Sequence, residues 1–324
     1  MDVNYRQLLG AFLLGVMVPS LILNLSWKHS SGHDFLAQPT VESTTDPEKD
    51  NLSIPVLCKD NTVAWMELDT YIVGVVLAEM PADFELEALK AQAVVARTYA
   101  LKRQEEGSRH IQGAVCVDPT CCQAYRSAED YLHSGGKQAS VDKVRKAVEA
   151  TSGQILTYQG ALIEATYFSC SGGKTEDAAA VWGSDVPYLQ SVVSPGEEDS
   201  PKYAETVHFN AQELSTLLGT KLQGNSASWL GEITYTEGGG VASLVISGKS
   251  YTGVQMRSLL DLNSTLFTVT PVADGLSITT LGHGHRVGMS QYGADAMAVS
   301  GCSYKEILLY YYQGTRIDKI DTLG

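Results

Sequence analysis

Glu79 is the residue whose position most clearly suggests chemistry. It stands in Ala78-Glu79-Met80-Pro81, at the end of an apolar segment with a helical period. Proline disfavours helical geometry in the residue before it, so a helix over residues 67–80 should end at about Glu79 or Met80. The partial negative charge of a helix end and apolar neighbours both favour the protonated acid. Glu79 could therefore act as a general acid, and a surface glutamate beside a proline is the alternative.

A second candidate site is the glycine-rich loop at residues 282–293. It contains His283 and His285 and should lead into a helix that Ser290 caps. Two histidines one residue apart could bind a metal, donate hydrogen bonds to a sugar, or satisfy backbone carbonyl groups. The glycines favour a binding loop. A hydrolytic triad of Ser290 and His285 with an acid is disfavoured, because the chain lacks a Gly-x-Ser-x-Gly elbow.

A third candidate site follows a predicted hairpin whose strands cover residues 154–158 and 161–168. The second strand leads into residues 169–173, which read Ser-Cys-Ser-Gly-Gly. Polar groups with free backbone amides at the end of a strand can line a cleft. A simple glycine turn is the alternative.

Hydrophobic periodicity predicts the elements that position these residues. The clearest is an alanine-rich core helix at residues 85–104, where alanine lets another backbone approach closely. A helix at residues 141–150 has Ser140 as its N-cap and Gly153 beyond its end. Residues 204–271 indicate a small α/β insertion without reactive chemistry. We predict an α+β fold of mixed helices and short antiparallel strands, in a two-lobed ectodomain with a central cleft.

The N-terminal segment predicts attachment to a membrane. Residues 8–27 carry no charge, and about 20 apolar helical residues suffice to cross a bilayer. A cleaved signal peptide is the alternative. We predict one transmembrane helix with its N-terminus inside, so that the remaining chain faces outward. The predicted order is a membrane anchor at 1–28, a flexible tether at 29–53, a catalytic lobe at 54–203, the insertion at 204–271, and a C-terminal part at 272–324 that completes the cleft.

Composition restricts the class of partner. The chain has 324 residues, of which 44% are hydrophobic, so it can bury a full core. Its formal net charge is -14, which argues against nucleic acid or an anionic lipid surface as the main partner. A neutral or locally cationic substrate fits better.

Three segments together carry a resemblance to a known family. They are Glu79-Met80-Pro81 with residues 87–99, then residues 167–173 with Thr175-Glu176 and Val181-Trp182, and finally residues 285–293. In this order, and over roughly residues 54–320, the chain resembles the stage II sporulation protein D family.

The resemblance implies a lytic transglycosylase that cleaves peptidoglycan glycan strands after their stem peptides have been removed. It implies that Glu79 is the catalytic acid of the Glu-Met-Pro motif, without a second carboxylate. It also implies a peptide-removing amidase or endopeptidase partner and a role in engulfment of the forespore, between the mother cell and forespore membranes. A scaffold that binds peptidoglycan for a partner amidase, without turnover, is the alternative. The residues expected to bind substrate are Arg97, Tyr167, Ser169, Ser171, Gly172, Gly173, His285, Gly288, Ser290 and Gln291.

The cysteines predict a possible metal site. His110, Cys116, Cys121 and Cys122 have the spacing H-x5-C-x4-C-C, and thiolates with one imidazole suit tetrahedral zinc in a structural role. His110, Cys116 and Cys122 are the first three expected ligands, with Cys121 or a group from elsewhere as the fourth. Some members of the resembled family carry zinc there and others lack it, and disulfides are the alternative in an exported protein. The residues left without a chemical role are Cys58, Cys170, Cys302 and His133, the last being expected at a solvated helix end.

Overall fold

The structure, a computed structural model, describes residues 52–322. The predicted membrane anchor and nearly all of the predicted tether lie outside these residues. Among the residues described, no helix is both long and apolar enough to cross a bilayer. Regular structure begins at Ser53, one residue before the predicted start of the folded part.

Helices α1 (Leu68–Glu79) and α2 (Leu86–Glu105) lie at the centre of the larger apolar core. α1 ends at Glu79 because Met80 is extended before Pro81, as predicted. The buried alanines of α2 allow close packing against several helices. The other helices of the described part are α3 (Ala128–His133), α4 (Gln138–Ala150), α5 (Ala178–Trp182), α6 (Ala211–Leu218), α7 (Gly253–Leu259), α8 (Gln291–Val299) and α9 (Tyr304–Tyr311).

The strands are short and form small sheets. In chain order the strands of the described part are β1 (Ser53–Leu57), β2 (Val63–Glu67), β3 (Val115–Cys116), β4 (Gln154–Tyr158), β5 (Ala161–Leu162), β6 (Tyr167–Phe168), β7 (Ala204–Asn210), β8 (Leu230–Tyr235), β9 (Val241–Ile246), β10 (Lys249–Thr252), β11 (Phe267–Val272), β12 (Gly275–Leu281), β13 (Met289–Ser290) and β14 (Arg316–Lys319). The sheets have the orders β2-β1-β3, β14-β4-β5, β13-β6, β10-β9-β8 and β11-β12-β7.

The mixture of helices and short strands confirms the coarse fold prediction. The expectation that the strands are antiparallel was wrong for two pairs, since β1 with β3 and β6 with β13 are parallel. Both pairs join segments that are distant in sequence. A long connection permits a parallel pair, which a tight hairpin turn does not.

Two elements predicted from the sequence have different bounds in the structure. Helix α4 begins at Gln138 rather than after Ser140, because the Lys137 carbonyl already accepts from the amides of Ser140 and Val141. The predicted second hairpin strand is interrupted, since β5 ends at Leu162 and residues 167–168 pair with β13 instead. The intervening Ile163 and Ala165 are fully buried, so core packing replaces strand pairing there.

The described residues bury two separate apolar clusters. The larger contains α1, α2, α4 and α9, and the smaller contains side chains such as Leu214, Leu244, Met256 and Ile278. β12 pairs with both β7 and β11. The sheet of the smaller cluster therefore extends across residue 271, and the proposed division into domains stays a prediction.

Candidate active site

Glu79 is held at the end of α1 against a loop segment. Its Oε1 accepts a hydrogen bond from the Ala124 N–H at 2.6 Å. Burial raises the pKa of Glu79 above its ordinary value, while the Ala124 amide and the Tyr167 hydroxyl act in the opposite direction. The direction agrees with the sequence prediction. A carboxylic acid with a raised pKa keeps its proton closer to neutral pH, which a general acid requires.

Gln123 connects this acid to the core. The residue is 1% exposed. Its Nε2 donates to the Tyr71 hydroxyl and to the Ala96 carbonyl, both at 3.4 Å. Its Oε1 accepts from the Tyr167 hydroxyl at 3.1 Å. These contacts with α1, α2 and β6 fix the backbone of the segment, and therefore the neighbouring amide that binds Glu79.

The pairing of β6 with β13 brings the second and third sequence motifs together. Tyr167 and Phe168 pair with Met289 and Ser290, respectively. A hydrogen bond from the Tyr167 side chain also acts to lower the pKa of the Glu79 carboxyl. The acid at the end of α1, the strand that starts at Tyr167 and the glycine-rich loop therefore meet in one place.

His285 lies beside this strand pair with its ring orientation fixed. Its Nδ1 accepts a hydrogen bond from the Val287 N–H at 3.1 Å, so a neutral ring carries its proton on Nε2. The ring centroid lies 5.5 Å from that of Phe168 and 5.6 Å from that of Trp182. Burial and, secondarily, the charge of Arg257 lower the pKa of His285 to about 4. A hydrogen bond with the Tyr167 backbone acts on the pKa in the opposite direction, and at neutral pH the ring is uncharged.

A second buried carboxylate, Glu197, organises the turn at residues 169–173. The residue is 1% exposed. Both of its oxygens accept several hydrogen bonds, so the carboxylate satisfies a whole set of inward-facing donors. The donors, at 2.5 to 3.3 Å, are the amides of Ser171, Gly172 and Gly173 and the hydroxyls of Ser171, Ser194 and Ser290.

This arrangement redefines four residues that were expected to face substrate. Ser171 and Ser290 are fully buried, and their hydroxyls donate to Glu197 at 2.7 and 2.5 Å. The amides of Gly172 and Gly173 point to the same carboxylate. In the structure these groups hold the turn together from inside, because the donors face Glu197.

The other residues predicted for this region flank the loop. The Ser169 carbonyl accepts from the Tyr292 N–H at 3.1 Å. Gly288 has a φ of +86°, and a side chain there would collide with the Thr166 carbonyl, so glycine lets the loop approach the neighbouring strand. Gln291 starts α8, and its buried Nε2 has no hydrogen-bond partner within residues 52–322.

The structure does not place Arg97 beside Glu79, Tyr167 and the glycine-rich loop. Its buried guanidinium lies 2.7 Å from Asp69 (Nη2 to Oδ1) and donates to the Gln154 carbonyl at 3.2 Å. Asp69 is in the first turn of α1 and Glu79 is its last residue. At the rise of an α-helix these residues are about 15 Å apart along the axis. Arg97 therefore stabilises the opposite end of α1.

Arg286 and Glu176 form a buried ion pair behind the turn. Both side chains are 0% exposed, and Nη1 lies 3.1 Å from Oε1. The Arg286 guanidinium also donates to the carbonyls of Ser171, Lys174 and Gly238 at 2.7 to 2.8 Å. Losing one member of such a pair would leave an uncompensated buried charge. The pair connects the turn, the glycine-rich loop and the β8–β9 connection.

The four predicted metal ligands form a compact cluster. The ligand atoms of His110, Cys116, Cys121 and Cys122 all lie within 4.8 Å of one another. His110 Nε2 is 3.2 Å from the Cys121 sulfur and 3.9 Å from the Cys122 sulfur. All six cysteines of the chain lie in the described part and are free thiols. The disulfide alternative is therefore not realised in this structure.

The cluster could hold a metal ion. Metal–sulfur bonds of about 2.3 Å and metal–nitrogen bonds of about 2.0 Å put tetrahedral ligand atoms roughly 3.5 to 3.8 Å apart. A pocket of about 420 Å³ borders His110, Cys121 and Cys122 and offers an entry path for an ion. The chain then continues from Cys122 directly into Gln123, which binds Tyr167, and Ala124, which binds Glu79.

Comparison with known proteins agrees with this arrangement of motifs. The family described as Stage II sporulation protein matches residues 59–158, which include α1 and the cysteine cluster. The chain is 40% identical to the Stage II sporulation protein D of Bacillus subtilis (strain 168), over 94% of this chain and 93% of that protein. It is 37% identical to the Stage II sporulation protein D of Bacillus amyloliquefaciens, over 97% of this chain and 95% of that protein.

The chain therefore belongs to the stage II sporulation protein D family. It is also similar to a protein of Bacillus subtilis (strain 168) named Amidase enhancer, with 31% identity over 75% of this chain and 40% of that protein.

Proposed function

We propose that this sporulation protein is a lytic transglycosylase. Its substrate would be the β-1,4 bond between MurNAc and GlcNAc in peptidoglycan glycan strands that have lost their stem peptides. The product would be a strand with a 1,6-anhydroMurNAc end. The observation that carries the proposal is Glu79, a partly buried carboxyl with a raised pKa that a backbone amide holds in place.

The surroundings of Glu79 favour a mechanism with one carboxylate. Hydrolysis of a glycoside ordinarily uses two carboxylates, one as the acid and the other as base or nucleophile. Within the described part, no other carboxylate is among the groups that shift the pKa of Glu79. A lytic transglycosylase can use the same residue as acid and then as base.

The proposed reaction has two proton transfers. Protonated Glu79 donates to the glycosidic oxygen while the bond from that oxygen to the muramyl C1 breaks, and the GlcNAc side leaves with a hydroxyl group. The oxygen of the muramyl 6-hydroxyl bonds to C1, and its proton returns to the Glu79 carboxylate. The acid is regenerated, and water contributes no atom to the product.

The neighbouring residues would bind and orient the sugars. We place the glycan strand against Tyr167, Ser169, His285, Gly288 and Gln291, in the cleft expected between the two apolar clusters. His285 is neutral and would contact the sugar as an uncharged ring. The other predicted residues would act by holding this surface, Ser171, Gly172, Gly173 and Ser290 through Glu197, and Arg97 through α1.

We further propose that the cysteine cluster holds a structural zinc ion. His110, Cys116, Cys121 and Cys122 would supply a complete tetrahedral set, which leaves no open position for substrate. When bound, the ion would cross-link the loop that precedes Gln123. It would take no part in the proton transfers.

We propose a cellular setting on the basis of the predicted anchor and the relatives. A transmembrane helix at residues 1–28 would hold the catalytic part on the outer face of the cell membrane, between the mother cell and forespore membranes during engulfment. The similarity to a protein named Amidase enhancer supports a partner amidase or endopeptidase that removes stem peptides first. The net charge of -14 disfavours nucleic acid as a partner.

A peptidoglycan-binding scaffold for a partner amidase is the second candidate, which the same relative favours. Product analysis separates the two. The full chain is incubated with peptide-free glycan strands, and the ends are identified by mass spectrometry. Anhydromuramyl ends support the proposal, reducing ends would indicate hydrolysis, and intact strands in every preparation would favour the scaffold.

A further inference from the structure

Trp182 is exposed to solvent on a short helix that is capped at both ends. It is the last residue of α5 and is 45% exposed. The Asp177 side chain caps the helix by accepting from the Ala180 N–H at 2.7 Å. Gly183 ends the helix in the left-handed conformation, with a φ of 76°, and Ala178 at its start is fully buried. The backbone that carries this indole ring is therefore held at both ends of α5.

The buried ion pair also fixes Trp182 relative to His285. Glu176 lies just before α5, and Arg286 follows His285 directly. The Glu176 N–H donates to the Arg286 carbonyl at 2.6 Å, and the two side chains pair at 3.1 Å. The two rings meet at 5.6 Å between centroids with 49° between their planes. Such preorganisation lowers the entropy cost of binding a ligand.

Aromatic groups lead from Glu79 to Trp182. The Tyr167 side chain forms a hydrogen bond with Glu79. The ring of the next residue, Phe168, contacts the His285 ring, and the His285 ring contacts Trp182. We propose that Trp182 is a stacking surface for an N-acetylated sugar ring of the same glycan strand, away from the bond that is cleaved. Tryptophan offers a large, flat apolar face with few rotatable bonds, which matches the C–H face of a pyranose ring. The inference rests on the proposed function, whose substrate it extends.

Trp65 provides a control within the same chain. It lies on β2 and is 66% exposed. It takes no part in the aromatic pairs found in residues 52–322. Removing its ring reduces the exposed surface of tryptophan side chains and leaves Glu79 and its neighbours unchanged.

The test measures binding without turnover. Calorimetric titration uses the full chain carrying Glu79→Gln and a β-1,4-linked GlcNAc tetramer. Adding Trp182→Ala should weaken binding about tenfold, Trp182→Phe should restore part of the loss, and Trp65→Ala should change nothing. With Glu79 intact, Trp182→Ala should raise KM and leave kcat within about twofold.

Equal affinities of the Trp182→Ala and Trp65→Ala proteins, or no binding of the tetramer, would overturn the inference. Its failure is separable from that of the proposed function. A protein that binds the tetramer through Trp182 but releases no anhydromuramyl ends would refute the reaction and leave the stacking surface intact.

Discussion

The carboxyl groups of Glu79 and Glu197 are both removed from solvent but differ in the number of hydrogen-bond donors around them. The oxygens of Glu197 accept from three amides and three hydroxyls. Glu79 accepts one backbone hydrogen bond and interacts with the Tyr167 hydroxyl, and burial raises its pKa. Glu197 therefore has its hydrogen-bonding capacity used inside the protein, whereas Glu79 accepts few hydrogen bonds.

The difference shows how one fold can assign separate tasks to the same side chain. A carboxylate surrounded by donors holds a turn in one geometry. A carboxyl group with few donors and little water holds a proton that it can transfer. Burial alone therefore does not identify a catalytic acid, and the number of donors around the carboxyl group distinguishes these two sites.

Glu79→Gln should have the largest effect, which is on turnover. The amide cannot donate a proton as an acid does, so release of anhydromuramyl ends should fall by about a hundredfold to ten-thousandfold. Its Oε1 can still accept from Ala124, so thermal unfolding below the ordinary pKa of 4.5, where both side chains are uncharged, should stay the same. Glu129→Gln, on the exposed face of α3, is the matched control. A Glu79→Gln protein with near-normal turnover would end the assignment.

Glu197→Gln should act on stability instead. An amide has one oxygen where the carboxylate has two, so part of the donor set would face an NH2 group. We expect a loss of about 2 to 4 kcal/mol in the free energy of unfolding, measured in urea. The exposed neighbour variant Glu198→Gln should lose nothing. Full stability with lost turnover would mean that Glu197 performs chemistry, and the contrast would fail.

Gln123→Ala should lower kcat by about ten- to a hundredfold with little change in KM. The reason is that the backbone amide of Ala124, which holds Glu79, would be misplaced. Steady-state kinetics on soluble glycan oligomers measures both constants. The control is Gln138→Ala at the exposed start of α4, where Gln138 bonds only Asp142. An equal rise in KM for both variants, with kcat unchanged, would remove Gln123 from the positioning of the acid.

Metal removal should affect the Glu79 region more than the Glu197 region, since the cysteine cluster is adjacent to Gln123 in the chain. Protein purified without chelator should contain about one zinc ion per chain. Chelation should lower both thermal stability and kcat, and added zinc should restore them. Absence of zinc together with oxidised Cys116, Cys121 and Cys122 would contradict the proposed ion.

The smallest expected effect is on the pH dependence of stability. The folded protein raises the pKa of Glu79, so it binds this proton more tightly than the unfolded chain. Stability should then decrease as pH rises from the ordinary value of 4.5 through the raised pKa. Urea unfolding of the wild type and of Glu79→Gln over this window should show that the decrease is missing in the variant. Parallel curves would argue against the raised pKa.

The Glu79 region could be predicted largely because its signals are local. Pro81 and the apolar period of the preceding residues fix the end of α1, and the desolvated helix end gives the direction of the pKa shift. The cysteine cluster was also predictable, since its four ligands lie within a short loop. Local spacing carries such features because neighbouring residues cannot move far apart.

The Glu197 region could not be predicted, because its contacts are distant in sequence. Glu197 binds Ser171 across 26 residues and Ser290 across 93 residues. Its own surroundings, with Glu198 and Asp199, look like a solvated acidic run. The roles of Ser171 and Ser290 were assigned from motifs, which give residue types but not the direction in which a side chain points.

Cleavage of peptide-free glycan strands in water labelled with heavy oxygen tests the central claim most directly. If Glu79 serves alone as acid and base, the new muramyl ends will be anhydro ends without label, and Glu79→Gln will form none. Labelled reducing ends would show that an activated water attacks C1, which would contradict the account of a single carboxyl group.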